Sequence, residues 1–413
     1  MKNAMHTPVL SPNSSDGALV CRNSRSSMDR QIKPLFVLPN LEGGGAERVV
    51  LELLSRLDRQ YFDPTLFLFE RFGALWPKIP PGIRVTAAAD EIAPGLRQRF
   101  LRLPSRFRGL LICALRSDII VGALELNATY QAYLAGALTR KPVVGWMHTD
   151  VEHILDDLRG NPEWHRRAIA WIYPRLSRIV CVSSGSARSL QTLAVIRPER
   201  LSIINNPINV ENLARMAKEP LPAWARRVFA KPTVLGAGRM VRLKGFDLLI
   251  KAHARLREEG LDHHLLIAGE GPLRESLLSL ARSVGVETTV FMPGWISNPY
   301  PLIKTAQLVS VPSRYEGLPT LILEALALGT PVVAADCASG PSEILEGGRY
   351  GLLVPPENPS VLAESISRLL RSPALRQNLA SQGYTRAQAF APANIVPRWE
   401  RLLREAVKGS KVT

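Results

Sequence analysis

Short apolar segments rich in strand-forming residues alternate with amphipathic helical segments from Lys33 onward. Such alternation is typical of parallel βαβ units, whose helices cover both faces of a sheet. The alternation stops once, at 207–231, where prolines surround a short helical stretch, and it restarts at Thr233. The sequence therefore predicts two doubly wound α/β domains. Ligands bind such sheets at the carboxyl ends of the strands, so the expected site is the cleft between the domains.

The same pattern sets the predicted boundaries. We predict a leader without regular structure at 1–30, a first domain at 31–207, a linker at 208–231, a second domain at 232–390 and a terminal helical segment at 391–413 that packs back on the first domain. The predicted strands are Pro34–Pro39, Pro64–Phe69, Ile83–Ala88, Asp118–Leu124, Pro142–His148, Arg178–Ser183, Leu201–Asn205, Thr233–Gly238, His264–Gly269, Thr289–Pro293, Leu308–Val311, Pro331–Ala335 and Gly351–Val354.

The net charge of the chain indicates which classes of molecule it can bind. The chain has 52 Lys and Arg against 36 Asp and Glu, a net charge of +16. This excess predicts attraction to phosphorylated small molecules, an anionic membrane surface or nucleic acid. No apolar run reaches the roughly 18 residues of a membrane span. The four cysteines are widely spaced and form no C-x-x-C pair, a pattern that favours a reducing cytoplasm.

Two glycine-containing turns are predicted to contact phosphate groups. Gly44 and Gly45 lie between the first strand and a helix, whose N-terminal N–H groups attract an anion. In the second domain Gly238 ends a strand, and the cations Arg239 and Lys244 follow it. An Arg and a Lys at a strand end suit a diphosphate. The alternatives are a flexible turn at the first position and a solvated basic turn at the second.

Two carboxylates mark the second domain as a sugar-binding candidate. Glu316 precedes a helix that Pro319 should begin and Gly329 should end, and Glu324 lies within that apolar helix. A carboxylate among apolar residues is costly unless it accepts hydrogen bonds, and sugar or ribose hydroxyls would donate them. The alternative is a helix-capping Glu316 and a surface Glu324. His148 ends a first-domain strand at the same predicted edge, although a single histidine is often only structural.

A basic segment precedes the fourth strand. It contains Arg97, Arg99, Arg102, Arg106 and Arg108 without an acidic residue, and its apolar residues recur at helical spacing. This composition predicts contact with an anionic bilayer. The alternative is a helix that packs its apolar face on the first sheet while the arginines face water. No D-x-D, H-E-x-x-H or EF-hand motif occurs, so we expect no metal ligand set.

In their order and spacing these motifs resemble the retaining glycosyltransferases of family 4. That family has the GT-B fold, in which two Rossmann-like domains face a central cleft. The resemblance spans about Lys33 to Leu403. Its specific parts are Gly43–Glu47, Gly238–Asp247, Ala268–Pro272, and Glu316 with Glu324 at the E-x7-E spacing of the family.

The resemblance implies roles for single residues. The family's glycine-rich loop and Arg/Lys pair bind the donor diphosphate, which corresponds here to Gly44, Gly45, Arg239 and Lys244. The first glutamate, Glu316, would lie at the donor sugar.

The remaining correspondences concern the sugar and the nucleoside. The N–H groups of Gly317 and Leu318 would lie near Glu316, and Glu324 would hold the ribose hydroxyls. His148 would lie beside the transferred sugar, and Glu270 near the nucleoside. Many relatives have Phe-Gly where this chain has Gly317-Leu318-Pro319.

The resemblance implies a retaining glycosyltransferase, and the lack of a metal-binding motif predicts that it works without metal or cofactor. We expect it to move a hexosyl or N-acetylhexosaminyl residue from a nucleotide-diphosphate sugar, expected to be a UDP-sugar, to a lipid-linked or glycan acceptor in cell-surface polysaccharide synthesis. The expected location is the inner face of the cytoplasmic membrane. Alternatives are a GDP-mannose-dependent mannosyltransferase, a GT-B sugar-nucleotide epimerase and a basic nucleic-acid-binding protein. Nucleic acid is disfavoured because no basic helix carries interleaved stacking aromatics.

Overall fold

Parallel strands make up both sheets of the computed structural model, which describes residues 30–89, 103–156 and 161–409. The strands are β1 (Pro34–Leu38), β2 (Thr65–Leu68), β3 (Arg84–Ala87), β4 (Ile119–Gly122), β5 (Val143–Met147), β6 (Arg178–Cys181), β7 (Leu201–Ile203), β8 (Thr233–Ala237), β9 (His264–Ala268), β10 (Val290–Gly294), β11 (Leu308–Val311), β12 (Val332–Ala335) and β13 (Leu352–Val354). Each predicted strand is present, with ends within two residues of the predicted ones.

The strand order confirms the doubly wound class. The first sheet has the order β3-β2-β1-β4-β5-β6-β7, and the second has the order β10-β9-β8-β11-β12-β13. Each order reverses beside the first strand of its domain, β1 or β8. Crevices at such reversals, at the carboxyl ends of the strands, are where α/β sheets bind ligands.

Helices cover both faces of each sheet. They are α1 (Gly45–Arg56), α2 (Leu103–Leu115), α3 (Asn127–Thr139), α4 (Val151–Asp156), α5 (Pro162–Ile172), α6 (Ser184–Leu193), α7 (Val210–Met216), α8 (Ala225–Val228), α9 (Phe246–Glu258), α10 (Arg274–Ser283), α11 (Tyr300–Thr305), α12 (Thr320–Ala327), α13 (Pro341–Leu345), α14 (Pro359–Arg371), α15 (Pro373–Gln388) and α16 (Pro392–Gly409). As expected from the sequence, Pro319 is the N-cap of α12, and Gly329 follows that helix with φ of 70°.

The core explains why the strands are almost wholly apolar. All five residues of β1 and all five of β5 are buried, because helices pack on both sides of them. On one face, Leu35 and Val37 pack with residues of α3, α5 and α6. On the other face, Phe36 and Leu38 pack with residues of α1 and α16.

The last helix, α16, lies against the first sheet although it follows the second domain. The Trp399 ring is 4.3 Å from the Trp146 ring of β5, centroid to centroid. The Asp58 N–H donates to Glu400 Oε1 at 2.8 Å. This return of the chain ties the two domains together at the side of the cleft where β5 ends.

Candidate active site

The carboxyl ends of strands from both sheets meet across the cleft. Gly317 of the second domain lies so close to the first that a Cβ atom on it would be 1.8 Å from the carbonyl oxygen of His148. A Cβ on Gly45, in the glycine-rich loop, would be 3.5 Å from Thr320 Oγ1 at the start of α12. The structure therefore brings the glycine-rich loop, His148 and the Glu316 loop together in the cleft, and we call this region the candidate site.

Glu316 and Lys244 form an ion pair at the centre of the candidate site. Lys244 Nζ lies 2.7 Å from Glu316 Oε1, and Ser313 Oγ donates to the same oxygen at 2.6 Å. Glu316 is 8 % exposed. Lys244 reaches it because Gly245, with φ of 63°, packs where a Cβ would be 2.1 Å from the Pro312 carbonyl oxygen. Two residues predicted to act separately, on the sugar and on the diphosphate, are thus directly paired.

Arg239 lies at the rim of the cleft. Its side chain is 57 % exposed, and its guanidinium is 3.8 Å from Glu42 Oε2 at the start of the glycine-rich loop. The preceding Gly238 has φ of 146° and donates its N–H to the Ala268 carbonyl. Arg239 therefore faces the loop that contains Gly44 and Gly45.

Glu47, to which the sequence analysis assigned no role, lies within the candidate site. It is buried in the first turn of α1, and its carboxylate folds back over the N-cap, so that a Cβ on Gly44 would be 2.3 Å from Glu47 Oε2. Burial raises the pKa of Glu47, and the nearby charge of Arg239 opposes that rise. The end of α1 that attracts an anion thus already faces a carboxylate of its own chain. The only signal was an acidic residue in the first turn after three glycines.

Glu324 has partners from both domains. The Tyr300 hydroxyl of α11 hydrogen-bonds to its carboxylate, and Arg48 of α1 lies close by from across the cleft. Burial raises the pKa of Glu324 to about 7, although Arg48 and Tyr300 lower it. The surface alternative for Glu324 is therefore wrong, and its partners before any ligand binds are a tyrosine and an arginine that sequence spacing did not indicate.

His148 is buried at the carboxyl end of β5. Its ring packs 4.5 Å from the Trp146 ring, and neither ring nitrogen hydrogen-bonds to the described residues. Burial lowers the pKa of His148 to about 3, although the nearby Ala123 backbone acts in the opposite direction. The imidazole is therefore neutral at physiological pH, able to exchange a hydrogen bond with a hydroxyl but not to act as a cation.

The other predicted donor residues lie around this centre. Gly317 and Leu318 are buried in the loop that leads to α12. Glu270 is exposed in the turn after β9, with its carboxylate over Gly294. The Met240 N–H donates to the Glu270 carbonyl at 2.7 Å, so this turn packs on the turn that contains Arg239.

Polar contacts hold the two domains together beside the site. Ser183 Oγ, at the N-cap of α6, donates to the Gly317 carbonyl at 2.8 Å, and Ser339 Oγ donates to the same oxygen at 2.9 Å. Glu343 Oε2 accepts from the N–H and the hydroxyl of Ser184 at 2.7 and 2.6 Å. Glu343, in the first turn of α13, therefore bridges the two domains.

The predicted membrane contact is corrected at one residue. Arg106 is 8 % exposed, and its guanidinium lies 3.3 Å from Glu70 Oε1. It therefore cannot reach a bilayer, because it faces the sheet and neutralises a carboxylate there. Arg108 is exposed on the opposite side of α2. Arg97, Arg99 and Arg102 lie outside the described residues.

Neither a metal cluster nor a membrane span appears in the described parts of the chain. Across 30–89, 103–156 and 161–409, His, Cys, Asp and Glu side chains form no group of three that could hold a metal ion. Among the same residues, every helix is too short or too polar to cross a bilayer.

Two doubly wound domains with a cleft of this composition define a glycosyltransferase of the GT-B fold. Residues 43–212 match the family described as Glycosyltransferase Family 4, and residues 226–386 match the family described as Glycosyl transferases group 1. The chain belongs to this family of glycosyltransferases, as its motifs indicated.

A curated relative supports the assignment over nearly the whole chain. It is the N-acetylgalactosamine-N,N'-diacetylbacillosaminyl-diphospho-undecaprenol 4-alpha-N-acetylgalactosaminyltransferase of Campylobacter jejuni, 30 % identical over 86 % of this chain and 95 % of its own length. The amylovoran biosynthesis glycosyltransferase AmsD of Erwinia amylovora is 27 % identical over 87 % of this chain and 96 % of its own.

Solved structures share the fold. Anabaena HepE in complex with UDP-glucose superposes with a TM-score of 0.76 at 21 % identity, covering 91 % of this chain and 100 % of that one. The lipopolysaccharide outer core galactosyltransferase WaaB superposes with a TM-score of 0.65 at 18 % identity, covering 91 % of this chain and 99 % of that one.

Proposed function

We propose that the protein is a retaining, metal-independent glycosyltransferase that uses a UDP-sugar. It would transfer a hexosyl or N-acetylhexosaminyl residue to a lipid-linked acceptor in cell-surface polysaccharide synthesis. The observation that carries the proposal is the Lys244–Glu316 pair, which lies in the closed cleft beside Gly317 and His148. The UDP-glucose complex of HepE and the diphospho-undecaprenol acceptor in the name of the Campylobacter relative support the donor and acceptor classes.

Charge development during transfer gives these residues their roles. Breaking the anomeric bond leaves positive charge on the sugar carbon and negative charge on the departing diphosphate. Lys244 and Arg239 supply cations to the diphosphate, and the N-terminus of α1 supplies aligned N–H groups. Glu316 lies where it can stabilise the positive sugar carbon, held in place by Ser313. The neutral His148 can hydrogen-bond a sugar hydroxyl. In a retaining reaction the acceptor attacks from the side on which the diphosphate leaves.

Calorimetric titration with UDP, GDP and ADP in the presence of EDTA tests the donor class. Binding of UDP alone supports the proposal, and binding of GDP alone points to the mannosyltransferase alternative. No binding by the folded protein overturns the proposed site. The anomeric configuration of the product, read from its NMR coupling constant, then tests retention.

We further propose that the protein contacts the inner face of the cytoplasmic membrane through the outer face of α2, α3 and α5. This face exposes apolar side chains that globular proteins usually bury: Leu115 is 64 % exposed, Leu138 62 %, Trp164 54 % and Trp171 55 %. The helices are neighbours, since the Tyr133 ring of α3 lies 5.6 Å from the Trp171 ring of α5. Tryptophan and aliphatic side chains beside arginine are typical of surfaces that lie at a bilayer interface.

The charge of this face favours an anionic bilayer over a second copy of the chain. Exposed cations on or next to the three helices are Arg108, Arg116, Arg140, Arg167 and Arg175. Neither α2 nor α3 contains an acidic residue, and Glu163 of α5 lies 3.6 Å from Arg166. Two such faces would repel each other, whereas each cation near an anionic surface contributes about 1 kcal/mol of attraction.

Vesicle sedimentation tests this surface. The wild-type protein should bind phosphatidylglycerol vesicles more tightly than phosphatidylcholine vesicles. The double variant L115S/L138S should bind the anionic vesicles at least about tenfold more weakly, because it loses two apolar side chains that would be buried. Its affinity for UDP should not change. Equal vesicle binding by the variant would reject this face as the contact.

A further inference from the structure

Glu125 is a carboxylate to which neither the motifs nor the comparisons assign a role. It lies in the loop between β4 and α3, at the carboxyl edge of the first sheet. Burial raises its pKa, and hydrogen bonds from neighbouring groups oppose that rise. A carboxylate in such a position destabilises the fold unless it is well paired, so its contacts are informative.

The carboxylate of Glu125 holds the turn that follows β5. Its Oε2 accepts the N–H of His148 at 3.0 Å, and its Oε1 accepts the hydroxyl of Thr149 at 2.9 Å. Each carboxylate oxygen thus accepts one hydrogen bond, and the two donors belong to consecutive residues. This bidentate contact fixes both the position and the orientation of the turn from which the His148 ring projects.

The loop of Glu125 is itself kept in a strained conformation. The next residue, Leu126, has φ of 58° and ψ of −120°, a conformation that costs a residue with a Cβ roughly 1–3 kcal/mol. The Leu126 N–H donates to the Tyr173 hydroxyl at 3.2 Å, and Thr129 Oγ1 donates to the Leu124 carbonyl at 2.7 Å. These contacts fix the loop on both sides of Glu125.

The turn held by Glu125 also contacts the second domain. A Cβ on Gly317 would be 1.8 Å from the His148 carbonyl oxygen and 2.8 Å from Thr149 Cα. Glu316, which pairs with Lys244, immediately precedes Gly317. A shift of the His148–Thr149 turn toward the second domain therefore meets the backbone next to Glu316, and a shift away from it opens the contact.

We propose that Glu125 is a positioning residue for sugar transfer. It holds the His148–Thr149 turn against Gly317 and so fixes His148 and Glu316 relative to each other in the closed cleft. The inference rests on the active site proposed above but not on which nucleotide sugar enters it. Glu125 itself touches neither of the predicted sugar-binding side chains, so its effect is on geometry.

The test is the variant Glu125→Gln in the full chain. Glutamine keeps the size of the side chain but removes its charge. The Thr149 hydroxyl must then turn to accept from the NH2 group, and the bond to the His148 N–H loses its charge assistance and weakens. We expect kcat to fall about 10- to 100-fold, because small displacements of reacting groups have effects of that size. The donor KM and the UDP dissociation constant should stay within about twofold of wild type.

Two further variants separate positioning from folding. Thr149→Val removes one partner of the same carboxylate and should lower kcat by a smaller factor. The double variant E125Q/T149V should lose less than the product of the two single losses, because both act on one contact. Glu364→Gln, the same chemical change at an exposed position of α14, should leave kcat unchanged.

A readout without turnover completes the design. Hydrogen exchange of a peptide that contains residues 147–149, followed by mass spectrometry, should be faster in E125Q than in wild type. Wild-type kcat in E125Q overturns the inference, as does a fall in kcat matched by an equal loss of UDP binding. Unchanged hydrogen exchange also overturns it. If wild type fails with UDP-sugars but works with another donor, the donor proposal alone is wrong, and kcat of the variants is measured with that donor.

Discussion

Replacing Lys244 by methionine separates the catalytic and structural effects of the Lys244–Glu316 pair. Methionine keeps most of the side-chain length and removes the charge. At 2.7 Å and an effective dielectric constant of about 20, the attraction between the two charges is about 6 kcal/mol before solvation is subtracted. Lys244 is 26 % exposed, so water offsets much of this, and we expect the free energy of unfolding to fall by about 1–3 kcal/mol.

The expected loss of turnover is larger than this loss of stability would explain. Removing one preorganised contact to developing charge typically lowers kcat by about 10² to 10³-fold. At temperatures where the variant is still folded, a destabilisation of about 1–3 kcal/mol leaves the amount of active protein nearly unchanged. Turnover of K244M should therefore fall by at least about 10²-fold in a fully folded sample.

The double variant tests whether the loss of stability comes from the unpaired Glu316 charge. In K244M the carboxylate of Glu316, 8 % exposed, keeps Ser313 as a partner but loses its cation. The double variant K244M/E316Q removes that buried charge, so its urea midpoint should recover most of the loss. Its turnover should stay low. Near-normal turnover in K244M, or recovery of turnover together with stability in the double variant, would refute the assigned role of Lys244.

Two other predictions follow from the cleft. Gly317→Ala places a methyl group 1.8 Å from the His148 carbonyl oxygen, so the two domains must separate at that point. The rate of sugar transfer should fall by at least about 10²-fold in a steady-state assay. The control Gly285→Ala, at an exposed position, should affect only stability. Burial raises the pKa of Glu324 to about 7, and the ionised carboxylate accepts hydrogen bonds from ribose hydroxyls more strongly than the neutral acid does. UDP-glucose does not titrate in this range, so it should bind more tightly at pH 8 than at pH 6 by calorimetry. That difference should disappear in Glu324→Gln, and a persistent difference would assign the pH dependence to another group.

Local sequence was sufficient for the fold and for the edge at which the site lies. Each predicted strand is present because apolar runs bounded by turn residues are buried on both faces, and this pattern is read over a few residues. The E-x7-E spacing placed Glu316 before α12 and Glu324 within it, because each residue of a helix advances it by a fixed rise of about 1.5 Å. These inferences needed no knowledge of distant contacts.

What the sequence left open depends on residues far apart in the chain. The Lys244–Glu316 pair, the Arg48–Glu324 approach and the contact of Glu125 with the turn after β5 each join side chains from different βα units. The spacing of residues along one helix or strand carries no information about them.

Arg106 is a case in which the sequence pattern led to a wrong prediction because its partner is distant in the chain. Its basic, amphipathic surroundings pointed to a membrane surface, and only packing revealed that its guanidinium faces Glu70 beneath α2. Helical periodicity tells which residues share a face but not what that face meets. The sequence by itself therefore determined the strands, the two-domain class and the family. The tertiary structure decided which charges neutralise one another, because pairing depends on distances of a few ångströms that are set only when the sheets and helices pack.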